Sequence, residues 1–223
     1  MKTITEKKQI EEVKDCLEGC GSVYLVGCGN CATMCHTGGK TEVLAMKAEL
    51  EAAGKKVSGW MVMPTACDEL TGEALAEDVA AVKAADCLLV LTCAFGVQTV
   101  ASYTDKPVYP ALNTLFLGRE TEPGHFQEVC LQCGQCLLGR YAAICPITQC
   151  AKGLLSGPCG GSKEGRCEQQ SVRDCAWVLI YERLKKTGNL DKLMAPAPPR
   201  DYSKTKRPRA YETGESSRGS AEG

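Results

Sequence analysis

The sequence predicts an α/β protein in two parts. The N-terminal part is a parallel, doubly wound domain of the flavodoxin or Rossmann type, and the C-terminal part is a small, Cys-rich, metal-stabilised domain. The first prediction comes from short apolar runs that alternate with helical patterns, because such strands form right-handed crossovers and a parallel sheet. The second comes from the 16 cysteines of the 223-residue chain, eight of which lie within residues 130–175.

The chain changes character twice, which divides it into three segments. Residues 1–118 carry the alternating pattern and form the α/β domain. Residues 119–194 are irregular and rich in Gly, Pro and Cys, and a segment of this kind usually needs a metal to fold. Residues 195–223 contain no Leu, Ile, Val, Met or Phe. Such a tail cannot bury enough surface to offset its ordering entropy, so we expect it to be disordered or bound to a partner.

Helix and strand patterns follow one another regularly in the first segment. Ile10, Val13 and Leu17 recur near helical spacing, which predicts an amphipathic helix over residues 1–20. Short apolar runs predict four strands, at residues 22–27, 56–63, 86–92 and 106–110. Helices are predicted between them at residues 37–53, 72–85 and 96–102, and a last helix is predicted over residues 169–186.

Composition excludes several classes of protein. The 26 basic and 27 acidic side chains give a net charge of −1, which argues against nucleic-acid binding. No apolar run approaches the roughly 20 residues that a membrane span needs. The N-terminus is polar and lacks a signal peptide, so we expect a cytoplasmic protein. Because the cytosol keeps thiols reduced, its cysteines are better explained as metal ligands than as disulfides.

Five cysteines follow the first three predicted strands, each at the point where a strand ends. Cys28, Cys31 and Cys35 follow the first, Cys67 the second and Cys93 the third. The carboxyl ends of parallel strands meet at one edge of a sheet, where doubly wound folds bind their ligands. Thiolates are the ligands of iron–sulfur clusters and of zinc, and a cubane cluster needs four of them. The sequence therefore predicts a cluster at this edge, with Cys67 and Cys93 as alternatives for the fourth ligand.

A second set of cysteines lies in the C-terminal domain. Cys130, Cys133 and Cys136 resemble the start of the ferredoxin run C-x2-C-x2-C-x3-C-P, although eight residues rather than three precede the next cysteine. This spacing favours a cubane over zinc, whose sites usually consist of separate C-x2-C pairs. The fourth ligand stays open among Cys159 and its close competitors Cys145 and Cys150. The glycines around Cys159, in residues 157–161, would let the backbone approach a cluster closely.

The other cysteines and the histidines carry weaker signals. Cys16, Cys20, Cys87 and Cys175 are interpreted as packing residues, while Cys167 stays unassigned. His36 is expected to face solvent or to lie behind a ligand rather than to bind metal. No catalytic dyad, paired carboxylates, phosphate-binding loop or dinucleotide fingerprint is present in the sequence. The chain therefore shows residues for electron transfer without residues for substrate chemistry.

Several longer motifs resemble one known family. GCGNCATMC, CAFGVQTVA, KPVYPALNTLFLG, CLQCGQCLLG, GPCGG and CAWVLIYERLK are similar to the small iron–sulfur subunit of methylenetetrahydrofolate reductase, of the MetV type found in acetogenic anaerobes. This family also occurs as a C-terminal domain fused to the enzyme. The resemblance covers roughly residues 10–200. It implies iron–sulfur clusters, with zinc in place of or beside the C-terminal cluster as an alternative, and a flavin-containing, barrel-folded catalytic partner.

Two functional hypotheses follow. In the first, the chain is a non-catalytic electron-transfer subunit that carries two [4Fe-4S] clusters between an unidentified donor protein and the flavin of the catalytic partner. In the alternative, zinc or redox-silent clusters stabilise a docking subunit with no redox role. A third hypothesis, an enzyme that binds substrate at an open iron, is weakened by the surplus of cysteines in the N-terminal set.

Overall fold

The computed structural model of this chain describes residues 2–195 and 198–211. The chain divides into two compact units, Met1–Glu128 and Val129–Gly223. The boundary predicted after residue 118 falls inside a strand that continues to Glu122 and pairs with one more strand. The N-terminal unit thus extends ten residues beyond that boundary.

The N-terminal unit contains seven strands and six helices within its described residues. In chain order they are β1 (Lys2–Lys7), α1 (Ile10–Cys16), β2 (Ser22–Cys28), α2 (Cys31–Met34), α3 (Lys40–Ala52), β3 (Lys56–Met63), α4 (Thr71–Glu77), α5 (Val79–Ala84), β4 (Cys87–Leu91), α6 (Ala94–Ser102), β5 (Val108–Pro110), β6 (Leu112–Glu122) and β7 (His125–Glu128).

Four of these strands form the predicted parallel sheet, in the order β3-β2-β4-β5. Val23 and Leu25 pack on one face with buried side chains of α1 and α3. Tyr24 and Val26 point to the opposite face and pack with side chains of α4, α5 and α6. Because successive side chains of a strand alternate between faces, both faces of the sheet are covered by helices. The prediction of a parallel sheet between helices is confirmed.

The three remaining strands form an antiparallel sheet, in the order β1-β6-β7, which the sequence analysis did not predict. The helix predicted over residues 1–20 is wrong in its first part, because Lys2–Lys7 is a strand and the helix spans only Ile10–Cys16. Thr3, Ile4 and Thr5 are buried in β1. Side chains that branch at Cβ suit a pleated strand better than a helix, and β6 supplies the hydrogen-bonding partner.

Four other helices differ from their predicted limits, and one of them, α6, begins at Ala94 rather than at residue 96. The helix expected over residues 72–85 is two short helices, α4 and α5, which meet at Asp78. The Tyr24 hydroxyl donates a hydrogen bond of 2.9 Å to the Asp78 carboxylate at this break. The helix predicted from residue 37 begins at Lys40. The last helix begins at Ala176 rather than near residue 169, because a loop with two isolated bridges occupies residues 163–174.

The C-terminal unit has little regular structure. Its described helices are α7 (Pro146–Gln149), α8 (Ala176–Lys186), α9 (Asp191–Met194) and a 3₁₀ turn, Tyr202–Thr205. Its core consists mainly of Tyr141, Trp177, Ile180 and Leu184. The Tyr141 and Trp177 rings meet edge to face with their centroids 5.4 Å apart. This core is small, as expected for a unit built mostly from loops.

The segment predicted to be disordered or partner-bound, residues 195–223, is described only at Ala195 and at residues 198–211; residues 196–197 and 212–223 lie outside the described part. Within it, the Asp201 amide donates a hydrogen bond to the Gln135 side chain at 3.0 Å. Arg209 donates to the Gln132 carbonyl at 2.8 Å. The described part of this segment therefore contacts the loop that carries Cys133 and Cys136.

None of the helices in residues 2–195 and 198–211 is long and apolar enough to cross a membrane.

Candidate metal centres

The cysteines of the N-terminal set follow three adjacent parallel strands. Cys28 is the last residue of β2, Cys67 lies in the loop after β3, and Cys93 follows β4 immediately before α6. Cys28 and Cys93 are only 6% and 7% exposed, whereas Cys67 is exposed. The structure thus places thiols from distant parts of the sequence at the carboxyl edge of the sheet, with one of them open to solvent.

Four of these thiols lie within electrostatic range of one another. Burial raises the pKa of the Cys67 thiol above its ordinary value of 9.0, and negative charge on Cys93, Cys28 and Cys31 raises it further, together with Asp68. Like charges raise a thiol pKa because they disfavour the thiolate. Cys28, Cys31, Cys67 and Cys93 therefore form one group, and both candidates for the fourth ligand belong to it.

Cys35 contacts a different part of the fold from the other four cysteines of this set. Its sulfur lies 3.8 Å from the carbonyl oxygen of Thr3 in β1, to which the thiol donates. It follows the short helix α2, which begins at Cys31. Cys35 thus contacts the antiparallel sheet, and its thiol is not among those that shift the pKa of Cys67.

Glycine at position 38 allows the loop of the N-terminal set to approach the sheet closely. A Cβ atom at Gly38 would lie 1.8 Å from the carbonyl oxygen of Leu91 in β4. The Gly38 carbonyl in turn accepts a hydrogen bond of 3.0 Å from the Cys28 amide. The loop that carries Cys31 and Cys35 is therefore fixed against the strand ends that carry Cys28 and Cys93.

The C-terminal set divides into two groups of four thiols, each around its own cavity. The larger cavity has a volume of about 210 Å³ and is lined by apolar side chains and by four thiols: Cys130, Cys133, Cys136 and Cys145. Of the three candidates for the fourth position, only Cys145 borders this cavity together with the C-x2-C-x2-C run. Cys150 and Cys159 lie at the other cavity.

The backbone of the C-x2-C-x2-C loop turns so that an amide group meets sulfur. Gln132 and Gly134, on either side of Cys133, have positive φ angles of 50° and 77°. The Gln132 amide donates a hydrogen bond to the sulfur of Cys130 at 3.4 Å. Amide donors stabilise thiolates in clusters and tune their potential. Glycine at 134 is required for a second reason, since a Cβ there would lie 3.1 Å from the Lys204 side chain.

The smaller cavity has a volume of about 20 Å³ and is lined by Cys150, Cys159, Cys167 and Cys175, with Trp177 and an ion pair between Lys152 and Glu168. Sequence reasoning left Cys167 unassigned and interpreted Cys175 as a packing residue, and Cys175 is buried in the core with Trp177. Eight, seven and seven residues separate the four cysteines of this cavity.

The remaining thiols and the histidine fit their predicted roles. Cys20 and Cys87 are buried in the core between the sheet and α1, at 8% and 0% exposure. Burial and a hydrogen bond with Cys20 raise the pKa of the Cys87 thiol to about 12. His36 is exposed and lies near Glu120, whose pKa is lowered chiefly by Lys2.

The thiols line these sites but are not arranged as the ligands of a bound metal ion. Within the described ranges, no three His, Cys, Asp or Glu side chains stand at the mutual distances of a bound metal ion. The donor set nevertheless fits metal binding, because each group supplies four soft thiolate ligands and no competing carboxylate pair.

One protein family matches a part of the chain. Residues 109–203 match the family described as methylene-tetrahydrofolate reductase C terminal. The match spans most of the C-terminal unit and the last strands of the N-terminal unit. No curated protein and no solved structure matches the chain. The part of the resemblance that concerns this reductase family is therefore confirmed over these residues.

Proposed function

We propose that the chain is an iron–sulfur electron-transfer subunit of a methylenetetrahydrofolate reductase complex. The observation that carries the proposal is the family match over residues 109–203, which names the reductase system. The partner in this proposal is the flavin-containing, barrel-folded catalytic subunit, and a donor protein supplies the electrons. The thiol groups favour a redox role over a catalytic one.

The N-terminal group would hold one [4Fe-4S] cluster through Cys28, Cys31, Cys67 and Cys93. Two of these thiols are buried at the ends of β2 and β4, so they would fix the cluster to the sheet and exclude water from one side. Cys67 is exposed and would keep the other side close to a docked redox partner. Cys93 also precedes α6, whose N-terminal amides stabilise negative charge.

The C-terminal group would hold a second cluster through Cys130, Cys133, Cys136 and Cys145. All four thiols border one cavity of about 210 Å³, and the C-x2-C-x2-C spacing of three of them favours a cubane over a single zinc ion. The Gln132 amide already donates to one of its sulfurs. Such clusters, when bound, supply one-electron transfer, which a flavin can combine into a two-electron reduction.

The proposal is tested by anaerobic purification of the full chain, followed by iron and sulfide determination and by absorption and electron paramagnetic resonance spectra before and after reduction. We expect about eight irons per chain, four for each cubane, and visible absorbance that bleaches on reduction. The reduced chain should then reduce the flavin of the catalytic partner. Colourless material with fewer than about four irons would overturn the electron-transfer role and leave a docking subunit.

Matched serine variants would show which cysteines hold each of the proposed clusters. Cys67→Ser and Cys133→Ser should each lower the iron content by about half, since each removes one ligand of a different cluster. Cys16→Ser removes a half-buried thiol that belongs to neither group and should leave the iron content unchanged. An equal loss of iron in all three variants would mean that these groups do not hold the clusters.

A further inference from the structure

We propose that Arg140 and Arg200 form a binding site for the phosphate group of a small organic molecule. The site lies in the C-terminal unit, at a cavity of about 720 Å³ that both arginines line. It does not depend on the electron-transfer proposal, because phosphate binding is a property of these arginines and can be measured whatever metal the chain holds.

Both arginines have buried guanidinium nitrogens that donate to no acceptor among the described residues. These atoms are Nε of Arg140 and both Nε and Nη2 of Arg200. Buried donors in folded proteins nearly always have a partner, so an unpartnered donor at a cavity calls for one from outside the chain. A guanidinium group is positively charged and carries only donors, arranged as a planar fork. Donors of this kind from two cationic groups at one cavity favour a negatively charged acceptor.

The charge around this cavity is positive. Among the described residues that line it, none is acidic. Neither arginine forms an ion pair within residues 2–195 and 198–211. Asp201, next to Arg200 in the sequence, does not line the cavity, and its carboxylate accepts hydrogen bonds from the amide and the hydroxyl of Ser203. A phosphate group with a charge near −2 would balance the two arginines, and arginine binds phosphate through paired hydrogen bonds.

Aromatic rings lie beneath both guanidinium groups. The central carbon of the Arg200 guanidinium is 5.4 Å from the centre of the Tyr202 ring, and that of Arg140 is 5.8 Å from the centre of the Tyr141 ring. A guanidinium held over a ring keeps its N–H edge free to bind an anion. The Tyr141 ring is itself fixed, because its hydroxyl donates to the Leu155 carbonyl at 2.7 Å.

The segment that carries Arg200 is attached to the loop that carries Arg140. Arg140 donates a hydrogen bond from Nη2 to the Ala195 carbonyl. The Asp201 amide donates to the Gln135 side chain at 3.0 Å. Because these contacts hold both arginines at the cavity, an anion would not have to order this segment when it binds, which favours affinity.

A neighbouring cavity of about 770 Å³ indicates what the organic part of the ligand would be. Three residues line both cavities: Arg140, Tyr141 and Ser156. The neighbouring cavity is also lined by the rings of Trp177 and Tyr181, while Glu182 and Lys192 supply one charge of each sign. Sites for small molecules combine apolar walls with a few polar groups that fix orientation. With its phosphate at Arg140, a ligand would place an aromatic group against these rings.

The test is isothermal titration calorimetry of the full chain at constant ionic strength, with inorganic phosphate, phenyl phosphate and succinate as probes. We expect phenyl phosphate to bind about tenfold more tightly than phosphate, because its ring buries apolar surface. Arg140→Gln and Arg200→Gln should each weaken phenyl phosphate binding about tenfold or more, since each removes charged hydrogen bonds. Arg200→Lys keeps the charge but not the planar fork, so it should weaken binding less than Arg200→Gln does.

Arg183→Gln is the matched control, because it removes the same charge from an exposed position in α8 that lines neither cavity. Its affinity should equal that of the wild type. Three results would overturn the site: no binding of either phosphate probe at millimolar concentration, tighter binding of succinate than of phenyl phosphate, or an equal loss of affinity in Arg183→Gln. If Arg140→Gln fails to fold, the wild type and the two Arg200 variants still decide.

Iron content is measured in each variant as well, because Cys136 lines both this cavity and the four-thiol cavity. We expect it to be unchanged in Arg200→Gln. A loss of iron with phosphate binding intact would mean that the arginines support the thiol group instead, and would overturn the site. Since phosphate affinity tests this site and the iron content of the wild type tests the electron-transfer proposal, either can fail without the other.

Discussion

Cys20 and Cys87 lie together in the core of the N-terminal unit, where they act as packing residues, unlike the thiols at the sheet edge. Both are buried, and Lys55 donates its ammonium protons to the carbonyl oxygens of Leu17 and Cys20 beside them. Burial is the main reason that the pKa of Cys87 rises to about 12. A thiol in this state is neither a ready nucleophile nor a ready metal ligand.

The buried pair predicts a loss of stability at alkaline pH. The pKa of Cys87 is higher in the folded protein than its ordinary value of 9.0, so the unfolded chain loses this proton first. Its contribution to stability is complete below about pH 9 and is lost as the pH rises toward 12. Urea unfolding of the air-free protein between pH 8 and pH 11 should show a fall that is smaller in Cys87→Ala.

Cys16→Ala is the matched control for this measurement, because Cys16 lies at the end of α1 and is only half-buried. Its pH profile should follow that of the wild type. Identical slopes for wild type and Cys87→Ala would show that Cys87 does not contribute to the alkaline loss.

A single methyl group at position 38 should destabilise the loop that carries Cys31 and Cys35. Gly38→Ala places Cβ against the Leu91 carbonyl, which is backbone and cannot move aside cheaply. We expect a loss of about 1–3 kcal/mol in the free energy of unfolding, by analogy with overpacked cores. Thermal or urea unfolding measures it. Gly21→Ala, where the new atom would meet only Asp86 at 3.5 Å, should be close to neutral.

Spacing alone could find the thiols of the N-terminal site but could not choose among them. The rule that parallel strands end at one edge predicted where Cys28, Cys67 and Cys93 lie in the structure, and their role as ligands stays a prediction. The direction of each side chain depends on what packs beside it, and Cys35 turns toward a strand that local sequence pattern did not predict. The same limit applies to Cys145 and Cys159, whose separation into two cavities depends on loops without any periodic pattern.

At the scale of elements, β1 connects the antiparallel sheet to the loop of the N-terminal site. The hydroxyl oxygens of Thr5 in β1 and Thr37, just before α3, lie 2.7 Å apart. Both side chains are buried, so neither hydroxyl has water as an alternative partner. Thr37 also donates to the Ala32 carbonyl at 3.2 Å.

Thr5→Val removes this hydrogen bond while keeping the shape of the side chain. We expect a loss of about 1 kcal/mol in the free energy of unfolding, the typical value for one hydrogen bond. Urea unfolding at neutral pH measures it. Thr5→Ser keeps the hydroxyl and should retain the hydrogen bond, so that its cost reflects the lost methyl group only. Equal stability of Thr5→Val and wild type would mean that the contact contributes nothing.

Elements were predictable where local sequence determines them. β2 and β4 are nearly continuous apolar runs because both of their faces are buried, and the predicted limits of β2, β3 and β4 differ from the observed ones by no more than one residue. β1 and β6 are different, because their partners lie more than a hundred residues apart and much of β6 is exposed. Their stability comes from pairing that no local window contains.

At the scale of the whole molecule, the two units depend on different sources of stability. The N-terminal unit has two apolar clusters on opposite faces of its parallel sheet. The C-terminal unit has one small cluster and eight cysteines. The family match ends within this second unit, at residue 203.

If the proposed clusters are bound, removal of metal should unfold one unit and leave the other intact. A strong metal chelator is then expected to remove hydrogen-exchange protection from α8, because this helix packs on the small core of the Cys-rich unit. Protection in β2 and β4 should persist, since these strands pack between helices. Equal loss in both units, or no loss in α8, would contradict this division.

The three strand ends that carry Cys28, Cys67 and Cys93 have a consequence for the order of events during synthesis. A ribosome-bound chain that has emerged only as far as residue 66 holds Cys28 and Cys31 but neither Cys67 nor Cys93. Contacts between residues so far apart close late in folding. The four thiols therefore come together only when β4 joins β2 and β3, and a chain truncated before residue 93 lacks the complete group.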